Sequence, residues 1–344
     1  MKTWALGVLL VAGFAISQSS QSLQDAQSAM QRKDYAAALR IVRPLAQGGD
    51  PTAQAMLGTM YALGFGVSQS DSEAVNWFRK AAEKGQPLAQ GNLGVAYLSG
   101  QGVQRNYTEA ANWFRKAADQ NDPNAQANLA SMYARGEGVP KDAAQAAAWY
   151  RKAADQGVAG AQYSLGVAYA NGIGLPKNDA EAASWFRKAA DQGIPEAQAS
   201  LGMVYAIGLG VAKNPAEAVK WASKAARHGI SQGQESLRGL AEEGYAPAQN
   251  ELGLTYEKGW GSLKIDAEAV NWFRKAAQQK FAAGQFNLGR MYAAGKGTRQ
   301  SDVEAYRWFA LAAAQGNLDA RKQMAEVAKR LTPEQLAQAK QASH

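Results

Sequence analysis

The sequence predicts an all-α stack of antiparallel helix pairs, and three observations carry that prediction. Tryptophan recurs every 36 residues at Trp77, Trp113, Trp149, Trp185 and Trp221, and the same step separates Trp272 from Trp308. Apolar positions within each period follow helical rather than strand spacing. Glycines and cap residues fall at matching offsets in every period. A period of this length marks stacked supersecondary units that each touch only their neighbours. The 344 residues therefore need not enclose one growing core.

Residues 51–86 illustrate one unit. Pro51 suits a first helical turn. Ala53, Leu57 and Tyr61 then make one apolar stripe, and the helix stops at Gly64-Phe65-Gly66. Gly58 lies inside that helix, where glycine costs about 1 kcal/mol against alanine, so another helix must approach closely there. Ser70-x-x-Glu73 reads as a capping box, with the hydroxyl on an orphan amide and the glutamate reaching back. The second helix buries Ala74, Trp77, Phe78 and Ala81, and Gly85 supplies the left-handed residue after its last turn. The box recurs as Asn106/Glu109, Asp142/Gln145, Asn178/Glu181, Asn214/Glu217 and Ser301/Glu304. The leucine recurs as Leu93, Leu129, Leu165, Leu201, Leu237, Leu252 and Leu288.

In chain order, residues 1–17 read as a signal peptide: Lys2, an apolar stretch from Trp4 to Ile16, then small residues before the polar run QSSQS. Thirteen apolar residues fall short of the about 20 that a spanning helix needs. Residues 18–50 form N-terminal capping helices, 51–228 a first arm of repeats, 229–244 a truncated repeat, 245–317 a second arm, and 318–344 C-terminal capping helices. The truncation shows in the leucine register. Leu201 to Leu237 keeps the step, but Leu252 follows after only 15 residues. SQGQESLRGLAEEG has room for one helix of about three turns. A lone helix in an alternating stack predicts a break near residues 229–246.

The strings AQAMLGTMYALGFGV…SEAVNWFRKAAEKG and AQYSLGVAYANGIGL…AEAASWFRKAADQG resemble the Sel1-like repeat family, a branch of the tetratricopeptide-type α-solenoids. The resemblance covers roughly residues 30–330. It implies a right-handed superhelix of antiparallel helix pairs that acts as a protein-interaction scaffold. It also implies, for exported bacterial members, roles in envelope signalling, secretion or contact with host proteins. Cysteine-rich relatives are linked to β-lactams; this chain has no cysteine.

The absence of cysteine also excludes a disulfide framework. The net charge of +8 would favour acidic partners, but the basic residues form no run of five or more, so nucleic acid is not expected. The GxG pairs follow helices, where carbonyls and the negative dipole end face them. They are turns, not phosphate cradles. The Trp-Phe pairs read as core, and Trp149→Ala should cost about 3–5 kcal/mol if buried. Arg79-Lys80 and its repeats at Arg115, Arg151, Arg187 and Arg274 offer either a basic stripe or a solvated face. Only His228 and His344 are histidines, and no HExxH, GxSxG or Cys–His set exists, so no catalytic, metal or cofactor site is expected and the chain is read as a non-enzyme.

A stripe on each first helix varies where the core stripe does not. It includes Met56 and Met60, Asn92 and Ala96, Asn128, Met132 and Arg135, Ser164 and Asn171, and Ser200. Variation on a fixed scaffold suits a partner-specific concave surface, and the asparagine amides both donate and accept. The expected function is an exported, periplasmic or secreted, adaptor binding a protein or peptide. Alternatives are a secreted host-interaction factor and, from another class, an envelope enzyme acting on peptidoglycan or β-lactams.

Overall fold

The computed structural model describes residues 18–261 and 263–341; the signal peptide expected over residues 1–17 lies outside the described residues. Among the described residues there are nineteen helices and no strand. Residues up to Lys177 form one compact unit and those from Asn178 another. The first holds α1 (Gln18–Gln31), α2 (Tyr35–Gln47), α3 (Pro51–Leu63), α4 (Asp71–Glu83), α5 (Pro87–Ser99), α6 (Tyr107–Asp119), α7 (Pro123–Arg135), α8 (Ala143–Asp155) and α9 (Ala159–Asn171). The second holds α10 (Asp179–Asp191), α11 (Pro195–Ile207), α12 (Pro215–Arg227), α13 (Ser231–Glu242), α14 (Ala246–Lys258), α15 (Asp266–Gln278), α16 (Ala282–Ala294), α17 (Asp302–Ala314), α18 (Leu318–Ala328) and α19 (Pro333–Gln341). Within each unit, consecutive helices pack against one another as far as α18, and α19 packs on α17. No helix among the described residues is long and apolar enough to cross a membrane.

Caps set the helix lengths. First helices such as α3 and α5 end on a left-handed glycine, Gly64 (φ 73°) and Gly100 (φ 76°), whose N–H donates to the carbonyl four residues back. At the start of α4, the Ser70 hydroxyl accepts from the Glu73 amide at 3.3 Å, and Asn106 and Asn214 do the same for Glu109 and Glu217. The reciprocal half of the expected box is not made there. The Ser70, Asn106 and Asn214 amides donate instead to the carbonyls of Tyr61, Tyr97 and Tyr205. That bond ties the loop back to the preceding helix and satisfies the donor, so the glutamate is free for other work. Glu217 accepts from the Trp221 indole at 2.9 Å and Glu181 from Trp185 at 3.1 Å. A full reciprocal box closes α19, where Thr332 and Gln335 exchange bonds at 3.0 and 3.2 Å.

In four repeats the glycine inside the first helix makes room for the phenylalanine of the second. A methyl at Gly58, Gly94, Gly253 or Gly289 would stand 2.6–2.8 Å from ring carbons of Phe78, Phe114, Phe273 or Phe309. Those four rings are at most 1% exposed. The tryptophan one residue earlier is the outer partner. Trp185, Trp221 and Trp272 are buried, whereas Trp77, Trp113, Trp149 and Trp308 are only half-buried. The full burial expected of Trp149 is therefore corrected: its outer face carries Lys152, with Nζ 3.8 Å from the ring centroid.

Helix α13 explains the slipped register. Its first half follows a first helix: Gly233 packs against α12, where a methyl would meet the Ala222 carbonyl at 2.6 Å, and Leu237 takes the leucine position. Its second half follows a second helix: Arg238 reaches the Tyr256 hydroxyl at 2.5 Å, as Arg79 reaches Tyr97, and the Ala241 carbonyl accepts from Gln249. One helix thus presents both faces, and α12 contacts α14 directly. The break expected at residues 229–246 does not interrupt the core. One apolar cluster runs from Ala218 through Leu237, Leu240 and Leu252 to Met291.

Candidate functional site

The variable stripe on the first helices divides into a buried and an accessible part. Met56, Met60, Asn92, Ala96, Met132 and Ser200 are buried. Met56 and Met60 pack with Val42 and Leu57, and Met132 packs beneath Phe114. On α3, α5 and α7 this burial accompanies direct contact between neighbouring first helices, α3 on α5 and α5 on α7. Asn128 and Ser164 are half-buried and Arg135 and Asn171 exposed. Ser164 and Asn171 donate to carbonyls of their own helix, Gly160 and Val167, each at 2.9 Å.

The repeated Arg-Lys pair is committed to the fold. Each lysine lies over the tryptophan three residues before it, as Lys80 does over Trp77 at 4.2 Å, Lys116 over Trp113 at 4.0 Å and Lys275 over Trp272 at 3.9 Å. Such cation–π contacts are worth about 0.5–1 kcal/mol at exposed sites. Each arginine reaches the tyrosine of the next first helix, 18 residues on: Arg79 to Tyr97, Arg115 to Tyr133, Arg187 to Tyr205 and Arg274 to Tyr292. The arginine therefore staples successive helices, and the lysine covers the tryptophan of its own helix.

A glutamine ladder, not anticipated from the residues, runs through both units. Except at Leu237, where the Gln234 amide nitrogen has no partner, the glutamine three residues before the core leucine donates to an alanine carbonyl of the preceding helix, as Gln90 does to Ala82 and Gln126 to Ala118, both at 3.2 Å. Its own carbonyl accepts from a second glutamine 30 residues later, Gln120 to Gln90, Gln156 to Gln126, Gln279 to Gln249 and Gln315 to Gln285, each at 2.8 Å. The signal was present as the recurring Ala-Gln dipeptide. Only the paired contacts show what the amide does.

Two places depart from the repeat. In the second unit, Glu257 and Arg290 pair at 2.7 Å, with Glu257 5% exposed, and Arg290 also donates to Asn287, which donates to Asn250. In the first unit, Ala130 stands at the glycine position and Tyr150 at the phenylalanine position. A phenylalanine seated as in the other repeats would collide with the Ala130 methyl. Tyr150 is half-buried and lines an open cavity of about 430 Å³ between α7, α8 and α9.

Electrostatic perturbation is confined to caps. Glu217 is held below the usual carboxylate range, chiefly by its hydrogen bond to Lys220 and also by Trp221 and the Arg187 charge. Burial pushes Asp122 up, against the amides of Ala125 and Asn124 that it caps.

A model of the Sel1 repeat matches residues 51–86, 87–122, 123–158, 159–194, 195–230, 246–281 and 282–317. Among solved structures, the chain is similar to c5321, a protective antigen present in uropathogenic Escherichia coli strains that displays an SLR fold. Identity is 29%, the TM-score 0.56, and coverage 95% of this chain and 91% of that one. It is also similar to a Sel1 repeat protein from Oxalobacter formigenes, at 32% identity and a TM-score of 0.50, covering 90% of this chain and 88% of that one. Among curated proteins no sequence matches. Solenoids of this kind are generally protein-interaction scaffolds without catalytic activity. With seven matched repeats built on capped helix pairs that arginine and glutamine tie to their neighbours, the chain belongs to the Sel1 repeat family.

Proposed function

We infer that the protein is an exported adaptor that binds a protein or peptide partner on the face made by the first helix of each pair. One observation carries the reading. The arginine and lysine that recur on the second helices, and the glutamine that follows them, are engaged on tyrosine, tryptophan and glutamine of the stack. The accessible positions that do change, Asn128, Arg135, Ser164 and Asn171, lie on first helices, and variation on a repeated frame is what selects one partner among many. The signal-type N-terminus supports export, and the periplasm is the expected compartment.

A photo-crosslinking amino acid at Asn128 or Ser164, compared with one at Asp119 or Glu83 on second helices, tests the reading in a Gram-negative host. Discrete crosslinked products from the first-helix positions alone are expected, in the periplasmic fraction. Equal products from both sets, or retention of the protein in the cytoplasm, would overturn it. A second reading, secretion to contact a host protein, draws on the likeness to a protective antigen. It requires recovery from the culture medium.

A further inference from the structure

The cavity between α7, α8 and α9 arises from four changes relative to the preceding repeat. There, Phe114 is sealed against Gly94, and Leu98 and Met132 pack on it. One period later the corresponding residues are Tyr150, Ala134 and Ala168. Ala130 bars the phenylalanine seat, and the two alanines leave unfilled the space that a leucine and a methionine take up one repeat earlier. The remaining lining is mostly apolar and includes Val167 and Ile173, the latter 50% exposed at the rim. A cavity of about 430 Å³ falls within the range of sites that bind organic groups.

Charge selects the occupant. Lys141 is the one charged residue in the lining, it is exposed, and no carboxylate pairs with it among the described residues. Glu137, the acidic side chain at the end of α7, is engaged by Arg135 at 3.9 Å, and Asp142 accepts two amides as the cap of α8. Tyr150, whose hydroxyl has no partner among the described residues, lines the same cavity. An apolar slot with an unpaired ammonium at its mouth fits a large apolar side chain followed closely by a carboxylate. The chain's charge of +8 steers acidic segments toward it.

We propose that this cavity is the anchor site for a partner peptide, which inserts a phenylalanine-like side chain between Tyr150, Ala134 and Ala168 and pairs an adjacent aspartate or glutamate with Lys141. The proposal rests on the scaffold reading and assigns its specificity to one repeat.

The test uses the full chain and acetylated hexapeptides of sequence Gly-Ser-Phe-Asp-Gly-Ser, with the phenylalanine replaced by alanine or the aspartate by lysine. Saturation-transfer NMR should show the phenylalanine ring as the group in closest contact. The parent peptide should bind on the order of tenfold or more tighter than the alanine version, as burial of such a side chain implies. Ala168→Met, which installs the methionine that Met132 supplies one repeat earlier, should remove that advantage. Lys141→Glu, at an exposed site that leaves folding untouched, should reverse the preference toward the lysine peptide. Equal binding of parent and alanine peptides, no binding of either, or parent binding unchanged by both variants would overturn the proposal. The two readings separate in the crosslinking assay: a partner captured at Asn128 equally by wild type and Ala168→Met keeps the scaffold and removes the anchor. Absence of any first-helix crosslink removes the scaffold itself.

Discussion

Two glycines on α5, three residues apart, should respond to the same substitution with opposite sign. Nothing lies within 4 Å of a methyl placed at Gly91, whereas one at Gly94 would stand 2.7 Å from two ring carbons of Phe114, a ring with no exposed surface. Gly91→Ala gains helix propensity alone and should stabilise by up to about 1 kcal/mol. Gly94→Ala gains the same amount but overpacks a fixed ring, at a cost of about 1–3 kcal/mol. The two variants should therefore differ by about 1–3 kcal/mol in urea unfolding followed by circular dichroism. The cause is checked by a cycle. Phe114→Ala alone should cost about 3–5 kcal/mol. Once it is present, Gly94→Ala has no ring to strike and should stabilise as Gly91→Ala does. Hydrogen exchange should place the Gly94→Ala loss on α5 and α6, since coupling in such stacks is between neighbours. If Gly94→Ala stabilises the wild type as much as Gly91→Ala, or if its cost survives removal of the ring, the close-approach argument is wrong.

Trp149→Ala should cost less than Phe114→Ala, about 2–3 kcal/mol for a half-buried ring, with hydrogen-exchange protection lost mainly over residues 123–193; an equal loss in both variants would show that the indole is as much core as the phenyl. Gln126→Ala leaves the Ala118 carbonyl and the Gln156 amide without their buried partner and should cost about 1–3 kcal/mol, read by denaturant midpoint. Asp122 is raised by burial, so its ionisation opposes folding: stability tied to its protonated form is present at low pH and is lost as pH rises through the folded value. Asp122→Asn keeps the cap acceptor without the charge and should raise the melting temperature at pH 7 but not at pH 3. Glu217 is lowered, so its contribution is present above the ordinary glutamate value near 4.5 and is lost as pH falls below it; Glu217→Gln should flatten that part of the acid-stability profile.

The residues by themselves determined the helix pairs, their period and their ends, because these depend on local physics. A proline, a hydroxyl or amide cap, and a left-handed glycine each act within one turn of their own position. They also exposed the shortened repeat, since Leu237 and Leu252 are too close for two helices. What the tertiary structure decided are the contacts between periods. Whether Glu73 or the Tyr61 carbonyl takes up the cap amide, whether Arg79 faces water or Tyr97, and whether Gln126 meets a carbonyl depend on how closely successive helices approach. That distance is set by the glycine–phenylalanine seats together, not by any one segment. The same reason governs the candidate surface. Helical spacing put Met56, Asn92 and Asn128 on one stripe, but burial of the first two beneath a neighbouring helix is a property of the stack. Ala130 and Tyr150 stand 20 residues apart and look like two conservative changes in the sequence. Only where α7 and α8 meet do they become one event, a methyl that turns a ring out of its seat and leaves a cavity open.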